Sequence, residues 1–228
     1  MKKLVILTGA GISAESGIQT FRDLDGLWEG HKVEEVASIQ GWYKNRKLVL
    51  DFYNKRRQQL HTVLPNAGHF GLVDLEKHFD VTIITQNVDD LHERAGSKKV
   101  LHLHGELVKK RSVKTSKHLF DWGEEDINVG DKAPDGGQFR PHIVWFGEDV
   151  PMIYTANDIA ADADIFVVIG TSLQVYPAAG LLMFAQNSLH KFLLDKKAPE
   201  TKLEDFIVIL KSAVEGIEEL KTELIKLA

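Results

Sequence analysis

The apolar run Leu4-Val5-Ile6-Leu7 passes through Thr8 into Gly9-Ala10-Gly11-Ile12-Ser13-Ala14, a Gly-x-Gly-x-x-Ala spacing. Two glycines let backbone approach a phosphate, the small residue at the sixth position lets the following helix pack close, and that helix starts with free N–H groups. The spacing reads as the phosphate turn of a dinucleotide site or as an ordinary tight turn after a strand. Thr20-Phe21-Arg22-Asp23 then sets an aromatic ring and a cation just past the turn. A dehydrogenase would place an acid for the ribose about 20 residues on, at the end of a second strand. No strand pattern occurs there, so that layout is not expected.

Three further polar stretches follow predicted strands, where doubly wound sheets hold their ligands. Gln86-Asn87-Val88-Asp89-Asp90 packs amides and carboxylates that could hold a ribose hydroxyl, a carboxamide or a water; Asn87 or Asp89 could equally cap a helix. In His102-Leu103-His104-Gly105-Glu106 strand alternation puts both imidazoles on one face, with His104 the candidate general base. A histidine pair two apart also invites a metal, but no cysteine and no obvious third ligand accompany it. Gly170-Thr171-Ser172-Leu173-Gln174-Val175 is a second glycine-led turn, suited to the far half of a dinucleotide or to a plain strand-to-helix turn.

These stretches need strands to position them. Val81–Thr85, Val100–Leu103, Ile165–Ile169, Lys191–Leu194 and Phe206–Leu210 read as short strands, and the core resumes at Ile143–Phe146. Residues 24–36 suggest a turn and a short helix. Long helices are expected over Gly41–His61 and from Pro65-Asn66 to about Phe79, with others at Ala156–Ala163 and Pro177–Asn187. Val214, Ile217, Leu220, Leu224 and Leu227 recur at helical spacing at the C-terminus. Strands alternating with helices predict an α/β fold, a Rossmann-like doubly wound parallel sheet. The nearly 60 residues between the first two strands are too long for a simple crossover and predict a helical insert; Glu106–Arg140, rich in glycine and poor in apolar residues, predicts a second, loop-rich one with room for short strands. The expected division is 1–26, 79–105 and 141–228 for the dinucleotide-binding domain, with 27–78 and 106–140 forming a smaller inserted domain.

With 43% hydrophobic and 27% charged residues the chain reads as an ordinary soluble globular protein. A formal net charge of −5 gives no global attraction to nucleic acid. No apolar run approaches the ~18 residues of a spanning helix, and Met1-Lys2-Lys3 leads straight into a strand rather than a removable signal, so the cytoplasm is expected. Without cysteine there is no disulfide, thiol nucleophile or cysteine-held zinc.

Gly-Ala-Gly-Ile-Ser with Thr-Phe-Arg-Asp, Gln-Asn-Val-Asp, His-x-His-Gly-Glu, Val-Trp-Phe-Gly-Glu (Val144–Glu148) and Gly-Thr-Ser-Leu, in this order, resemble the sirtuins, NAD-dependent protein lysine deacylases. The resemblance implies NAD as cofactor, with Gly9, Ala10, Gly11 and Arg22 on the pyrophosphate and Phe21 over the nicotinamide ribose. It implies Gln86 on that ribose and Asn87 and Asp89 on the nicotinamide carboxamide, straining the bond to the sugar. The acyl-lysine oxygen would then attack C1′, with His104 as base towards the ribose hydroxyl. The implied products are free lysine, nicotinamide and O-acyl-ADP-ribose. Thr171 and Ser172 would line the phosphate and adenosine side, Ala14, Val88, Gly170 and Ala213 completing the cofactor set. Protein substrates would add as a strand between Phe146-Gly147-Glu148 and Leu173–Tyr176, with Val144 and Val175 alongside. A monomer is expected.

Two departures and one addition refine this expectation. The family's second insert usually carries two cysteine pairs for zinc; Arg111–Thr115 and Ala133–Gly136 hold none and His118 cannot replace them, predicting a zinc-free lobe held by residues such as Leu119, Phe120 and Trp122. Asp195 stands where an asparagine usually meets the adenosine ribose. Tyr53 and Arg56, three apart on one helix face, resemble the sirtuin class acting on acidic acyl groups, and Ala14 fits it too. Arg56 would take the distal carboxylate of a succinyl, malonyl or glutaryl group while Tyr53 donates a hydrogen bond; beside Lys55 and Arg57, it could also simply decorate a solvated helix. The expected activity is desuccinylation or demalonylation, with deacetylation beside it. The rivals are another NAD-consuming enzyme, a mono-ADP-ribosyltransferase or NAD hydrolase, and a non-catalytic NAD-sensing module.

Overall fold

A computed structural model describes residues 1–19, 27–28, 30–199, 203 and 205–228. In chain order the elements are β1 (Lys3–Thr8), β2 (Leu27–Trp28), β3 (His31–Lys32), α1 (Val33–Val36), α2 (Ile39–Lys44), α3 (Arg46–Leu60), α4 (Ala67–Leu75), β4 (Asp80–Thr85), α5 (Leu91–Ala95), β5 (Val100–His102), β6 (Gly105–Ser112), β7 (Thr115–Asp121), β8 (Phe139–Ile143), α6 (Ile153–Ala161), β9 (Ile165–Ile169), α7 (Leu181–Phe184), β10 (His190–Leu194), β11 (Phe206–Ile209) and α8 (Ala213–Ile225). Six strands form a parallel sheet in the order β11-β10-β9-β1-β4-β5.

Alternation along the central strands sends successive side chains to opposite faces, and both faces are covered. Leu4, Ile6, Ile83, Val167 and Phe192 pack on one side with α4 and α8. Val5, Leu7, Ile84, Phe166, Val168 and Leu193 pack on the other with Ala156 and Ala160 of α6. This two-sided burial is why β1 and β9 are continuous apolar runs. Helix α4 lies within the expected insert 27–78, and its Leu72 and Leu75 pack into the first of these layers. The α/β reading with a Rossmann-like parallel sheet and a smaller lobe holds.

A third core unites α2 and α3 with the antiparallel sheet β7-β6-β8: Trp42, Val49, Leu50, Phe52, Tyr53 and Leu60 meet Leu107, Trp122, Ile127, Ile143 and Trp145. The strands for which the loop-rich segment left room are present and long: β6 has eight residues and β7 seven. Four local expectations need correction. The helix expected over Gly41–His61 breaks at Asn45, whose extended backbone (φ −150°, ψ 79°) starts a new helix and whose side chain accepts from Leu48 N at 3.1 Å. Two 3₁₀ turns, Ala10–Ile12 and Ala14–Ser16, follow the first glycine turn instead of an α-helix, and Gly17 at φ 98° ends them. The helix expected at Pro177–Asn187 is split into 3₁₀, α and 3₁₀ pieces around Gly180 and Ala185. Ile143–Phe146 does not rejoin the parallel sheet: Ile143 pairs antiparallel with Gly105, and Phe146 bridges to Ser38.

Candidate functional site

The two glycine turns lie side by side at the C-terminal ends of β1 and β9. Gly9 N donates to Ile169 O at 3.0 Å and Gly11 N to Gly170 O at 2.8 Å. A Cβ on Gly11 would stand 2.6 Å from Gly170 Cα, and Gly170 itself has φ 62°. The glycines are thus required first by the contact between turns, and the same absence of side chains opens the backbone to a ligand. Gln86 Nε2 donates to Thr171 Oγ1 at 3.0 Å, tying the β4 end to the second turn. Leu173, in that second loop, is buried and holds the left-handed φ of 56°.

Beneath the cleft a buried polar network fixes Asn87 and Asp89. Asn87 Nδ2 donates to Gly9 O and Ser13 Oγ, both at 3.2 Å, and Ser13 Oγ donates to Asp89 Oδ2 at 3.0 Å. Asp89 Oδ1 accepts from Leu91 N. Burial raises the Asp89 carboxyl to about 6, with the Leu91 and Ser13 bonds opposing. Burial lowers His69, 3.5 Å from Ser13 Oγ, to about 4. Thr8 Oγ1 donates to Thr85 Oγ1 and so accepts from His92 Nε2, which leaves that ring neutral, with its pKa far below the ordinary range through burial. The floor of the site is polar but uncharged apart from Asp89 itself.

His104 Nδ1 lies 3.0 Å from Gln86 O. A carbonyl only accepts, so Nδ1 carries the proton and Nε2 is the basic nitrogen. Burial lowers its pKa, only partly offset by that bond, so the ring is neutral at neutral pH. His102 reaches the same loop one carbonyl later, at Asn87 O.

On the opposite wall, Tyr53 and Arg56 of α3 are 1% and 9% exposed, so Arg56 does not decorate a solvated face. Trp145 Nε1 donates to Tyr53 Oη at 2.9 Å, and burial pushes the phenol well above its ordinary range, keeping it an O–H donor. Trp145 is gripped in turn: the Arg140 guanidinium lies 3.4 Å over its ring, and Glu148, paired bidentately with Arg140 at 2.6 and 2.9 Å, accepts from Trp145 N. Arg56 Nη1 donates to Gln59 Oε1 at 2.7 Å.

One cavity of about 400 Å³ is lined by Gly9, Ala10, Gly11, Ala14, Gln86, Asn87, Val88, Asp89, His104, Gly170, Thr171, Ser172, Asp195 and Ala213 together with Tyr53, Arg56, Val144, Phe146, Gly147 and Val175. Residues far apart in sequence thus share one space. Phe21 and Arg22 lie outside the described residues. Asp195 is buried, with Oδ1 accepting from Lys197 N, and Lys196 and Lys197 also line the cavity. Sequence reasoning missed Trp145, Gln59 and His69 as supports of the site. Trp145 lay inside a quoted motif and Gln59 follows Arg56 at i+3; no local pattern marks His69. Among the described residues no group of three or more histidines and carboxylates could hold a metal ion.

A model of the Sir2 family matches residues 9–177. A Helicobacter pylori protein named NAD-dependent protein deacylase is 55% identical over 229 residues, covering 100% of both chains. One of the same name from Bacteroides thetaiotaomicron is 54% identical over 231 residues, 99% of each. A solved Sir2 homologue in complex with NAD superposes with a TM-score of 0.88 at 37% identity, over 99% of this chain and 90% of that one. A Sir2 structure bound to an acetylated peptide gives 0.81 at 28% identity, over 96% and 92%. With its glycine turns, Gln-Asn-Val-Asp loop and His104 around one cavity, and with relatives similar over its full length, this chain belongs to the Sir2 family.

Proposed function

We propose that the chain is an NAD-dependent protein lysine deacylase that favours acyl groups ending in a carboxylate, succinyl or malonyl, and that retains some deacetylase activity. The carrying observation is that Tyr53 and Arg56 are buried on the wall of the cavity that also holds Asn87, Asp89 and His104. NAD is the cofactor, and when bound it supplies the ADP-ribosyl group that accepts the acyl oxygen as nicotinamide leaves. The site fits it: the abutting turns bring the side-chain-free Gly9, Gly11 and Gly170 to the cavity, and Asn87 and Asp89 present an amide and a carboxyl from a buried network.

The chain's own groups divide the work. The first turn would hold the pyrophosphate; the roles that the resemblance implies for Arg22, on the pyrophosphate, and for Phe21, over the sugar, fall on residues outside those described. Asn87 and Asp89 hold the carboxamide, and Gln86 orients the ribose. His104, neutral with Nδ1 bonded to Gln86 O, offers Nε2 as base to a ribose hydroxyl. Thr171, Ser172, Asp195 and Ala213 face the adenosine half, where Asp195 can accept from a ribose hydroxyl. The substrate backbone lies as an added strand between 146–148 and 173–176; the similar Sir2 structure bound to an acetylated peptide supports this class of partner.

Arg56 meets the distal carboxylate in a bidentate pair and Tyr53 adds a neutral donor. Zinc has no place in this account. The segments that would hold it carry no thiol; instead Ser112 Oγ donates to Asp135 Oδ1 at 2.8 Å, Gly137 N donates to the same oxygen, and Lys114 Nζ donates to Asp135 O. We therefore take the lobe to be zinc-free, and the enzyme to be a cytoplasmic monomer. Turnover of matched succinyl-, malonyl- and acetyl-lysine peptides with NAD, followed by mass spectrometry, tests the reading. O-acyl-ADP-ribose should form in step with lysine release and fastest from the acidic acyl groups. ADP-ribose without lysine release would mean an NAD hydrolase, ADP-ribosyl-peptide a transferase, and NAD binding without turnover a sensing module.

A further inference from the structure

His102 is bound at both ring nitrogens by groups that accept. Nδ1 lies 2.9 Å from the carbonyl oxygen of Asn87, and Nε2 lies 2.8 Å from Oε1 of Glu93 on α5. A carbonyl cannot donate, and Glu93 is held ionised: burial would raise its pKa, but the His102 bond and charge bring it below the ordinary value. Both contacts are satisfied together only when the ring carries two protons. Its side chain is 8% exposed, so this is an imidazolium sheltered from water, unlike the neutral His104 two residues on.

We propose that His102 is a positioning residue for the nicotinamide site, an imidazolium that ties the main chain of Asn87 to α5 and so fixes the side chain that meets the carboxamide. The proposal rests on the deacylase reading for the role of Asn87, and on geometry for the clamp itself. Asn87 is then anchored along its length: N donates to Thr85 Oγ1, Nδ2 to Gly9 O and Ser13 Oγ, and O accepts from His102. Three of those bonds are between neutral groups, and the charged one is the strongest. The groups around the ring favour its charge. Glu93 faces it from α5, Glu106 from β6 with its Lys109 partner, and Asp89 from the loop, while His92 behind it is neutral. Burial would lower the ring's pKa, but Glu93, the Asn87 carbonyl and Glu106 leave it above the ordinary histidine value. At alkaline pH the ring must give up one proton, and one of its two bonds goes with it.

The test reads the ring directly. Long-range ¹H–¹⁵N spectra of the full chain should show His102 with both nitrogens protonated at pH 7, titrating above the ordinary histidine range. KM for NAD should rise about tenfold through that titration, the loss of one charge-assisted bond, while kcat at saturating NAD changes less than twofold. Glu93→Gln, a half-exposed change, should flatten the KM profile, because its amide can donate to a neutral Nε2 while Nδ1–H still reaches Asn87 O. His102→Ala should raise KM for NAD about tenfold at pH 7. A singly protonated ring at pH 7, or an unchanged alkaline limb in Glu93→Gln, would overturn the clamp, as would a folded His102→Ala with wild-type KM. A chain that bound NAD but released no acyl group would overturn the deacylase reading, while the ring titration still decided the clamp.

Discussion

The two walls of the cavity are made from different materials. The dinucleotide side is built on backbone: two glycine turns that touch each other, bonded at 2.8 and 3.0 Å, with Asn87 and Asp89 held beside them by a buried network. The side proposed to meet the acyl group is long side chains on one helix, Tyr53 and Arg56, held by Trp145 and Gln59 and, behind them, by the Arg140–Glu148 pair. Backbone cannot be retuned without rebuilding the sheet, whereas a guanidinium three residues along a helix can be exchanged alone. Chemistry that every substrate shares is best placed on the first wall and substrate choice on the second.

The sharpest break in that comparison is Gly11→Ala. The added methyl would lie 2.6 Å from Gly170 Cα and 2.8 Å from Gly170 O, with no flexible group to yield. The turns must separate, at a cost of about 3 kcal/mol or more, and NAD binding should be lost on every acyl substrate alike. Thermal denaturation and NAD titration check this; a variant with parental Tm and NAD affinity would show that the contact between turns is dispensable.

Asp89→Asn separates stability from activity on the same wall. The carboxyl's folded pKa of about 6 lies above its ordinary 3.8, so the folded state holds the proton more tightly. Its contribution is complete below about pH 4 and is lost as pH rises through about 6. Two units correspond to about 3 kcal/mol. Asparagine stays neutral throughout, can still accept from Leu91 N and can donate to Ser13 Oγ. The variant should match the parent near pH 4, exceed it by up to about 3 kcal/mol at pH 8, and lose deacylation. Denaturant melts across pH 4–8 read the difference, and a constant offset would show that Asp89 does not titrate there.

Arg56→Met asks whether the second wall sets preference alone. Losing a charge-assisted pair costs about 1.5–3 kcal/mol, so kcat/KM for succinyl-lysine should fall roughly 10- to 100-fold while that for acetyl-lysine stays within about twofold. Equal losses on both peptides would make Arg56 structural rather than selective.

How much of this was visible in the sequence follows the same division. The strands under the cofactor wall were legible because they are local: β1 and β9 are continuous apolar runs leading into glycine, while each turn by itself read equally well as a plain turn and took its meaning from the motifs together. That Tyr53 and Arg56 share a helix face was legible from their spacing, while a role for the pair came only from the resemblance; Asn45 broke the helix in a place that periodicity cannot show. What was not legible is convergence. His69 joins the network through Ser13, 56 residues away, and Trp145 meets Tyr53 across 92 residues. The bounds and length of β6, β7 and β8 were not legible because much of their surface is polar and half-exposed, so the alternation that marks a strand is faint.

The smallest effect belongs to the lobe of β6, β7 and β8, where Ser112 and Asp135 form a hydrogen-bonded corner that the proposed zinc-free reading puts in place of a metal. Ser112 is buried, donates to Asp135 and accepts from Lys114 N, joining the end of β6 to the loop before β8. Ser112→Ala removes both bonds and should cost about 1 kcal/mol, a fall in Tm of roughly 2–4 °C. On the zinc-free reading, a strong chelator should leave Tm and succinyl-lysine turnover of the parent unchanged. The two measurements sharpen the comparison together, because Ser112 pairs across the sheet with Phe139, the neighbour of Arg140. A chelator that lowered Tm, or zinc found at one per chain, would mean that this wall is held by a metal and that the serine corner is incidental.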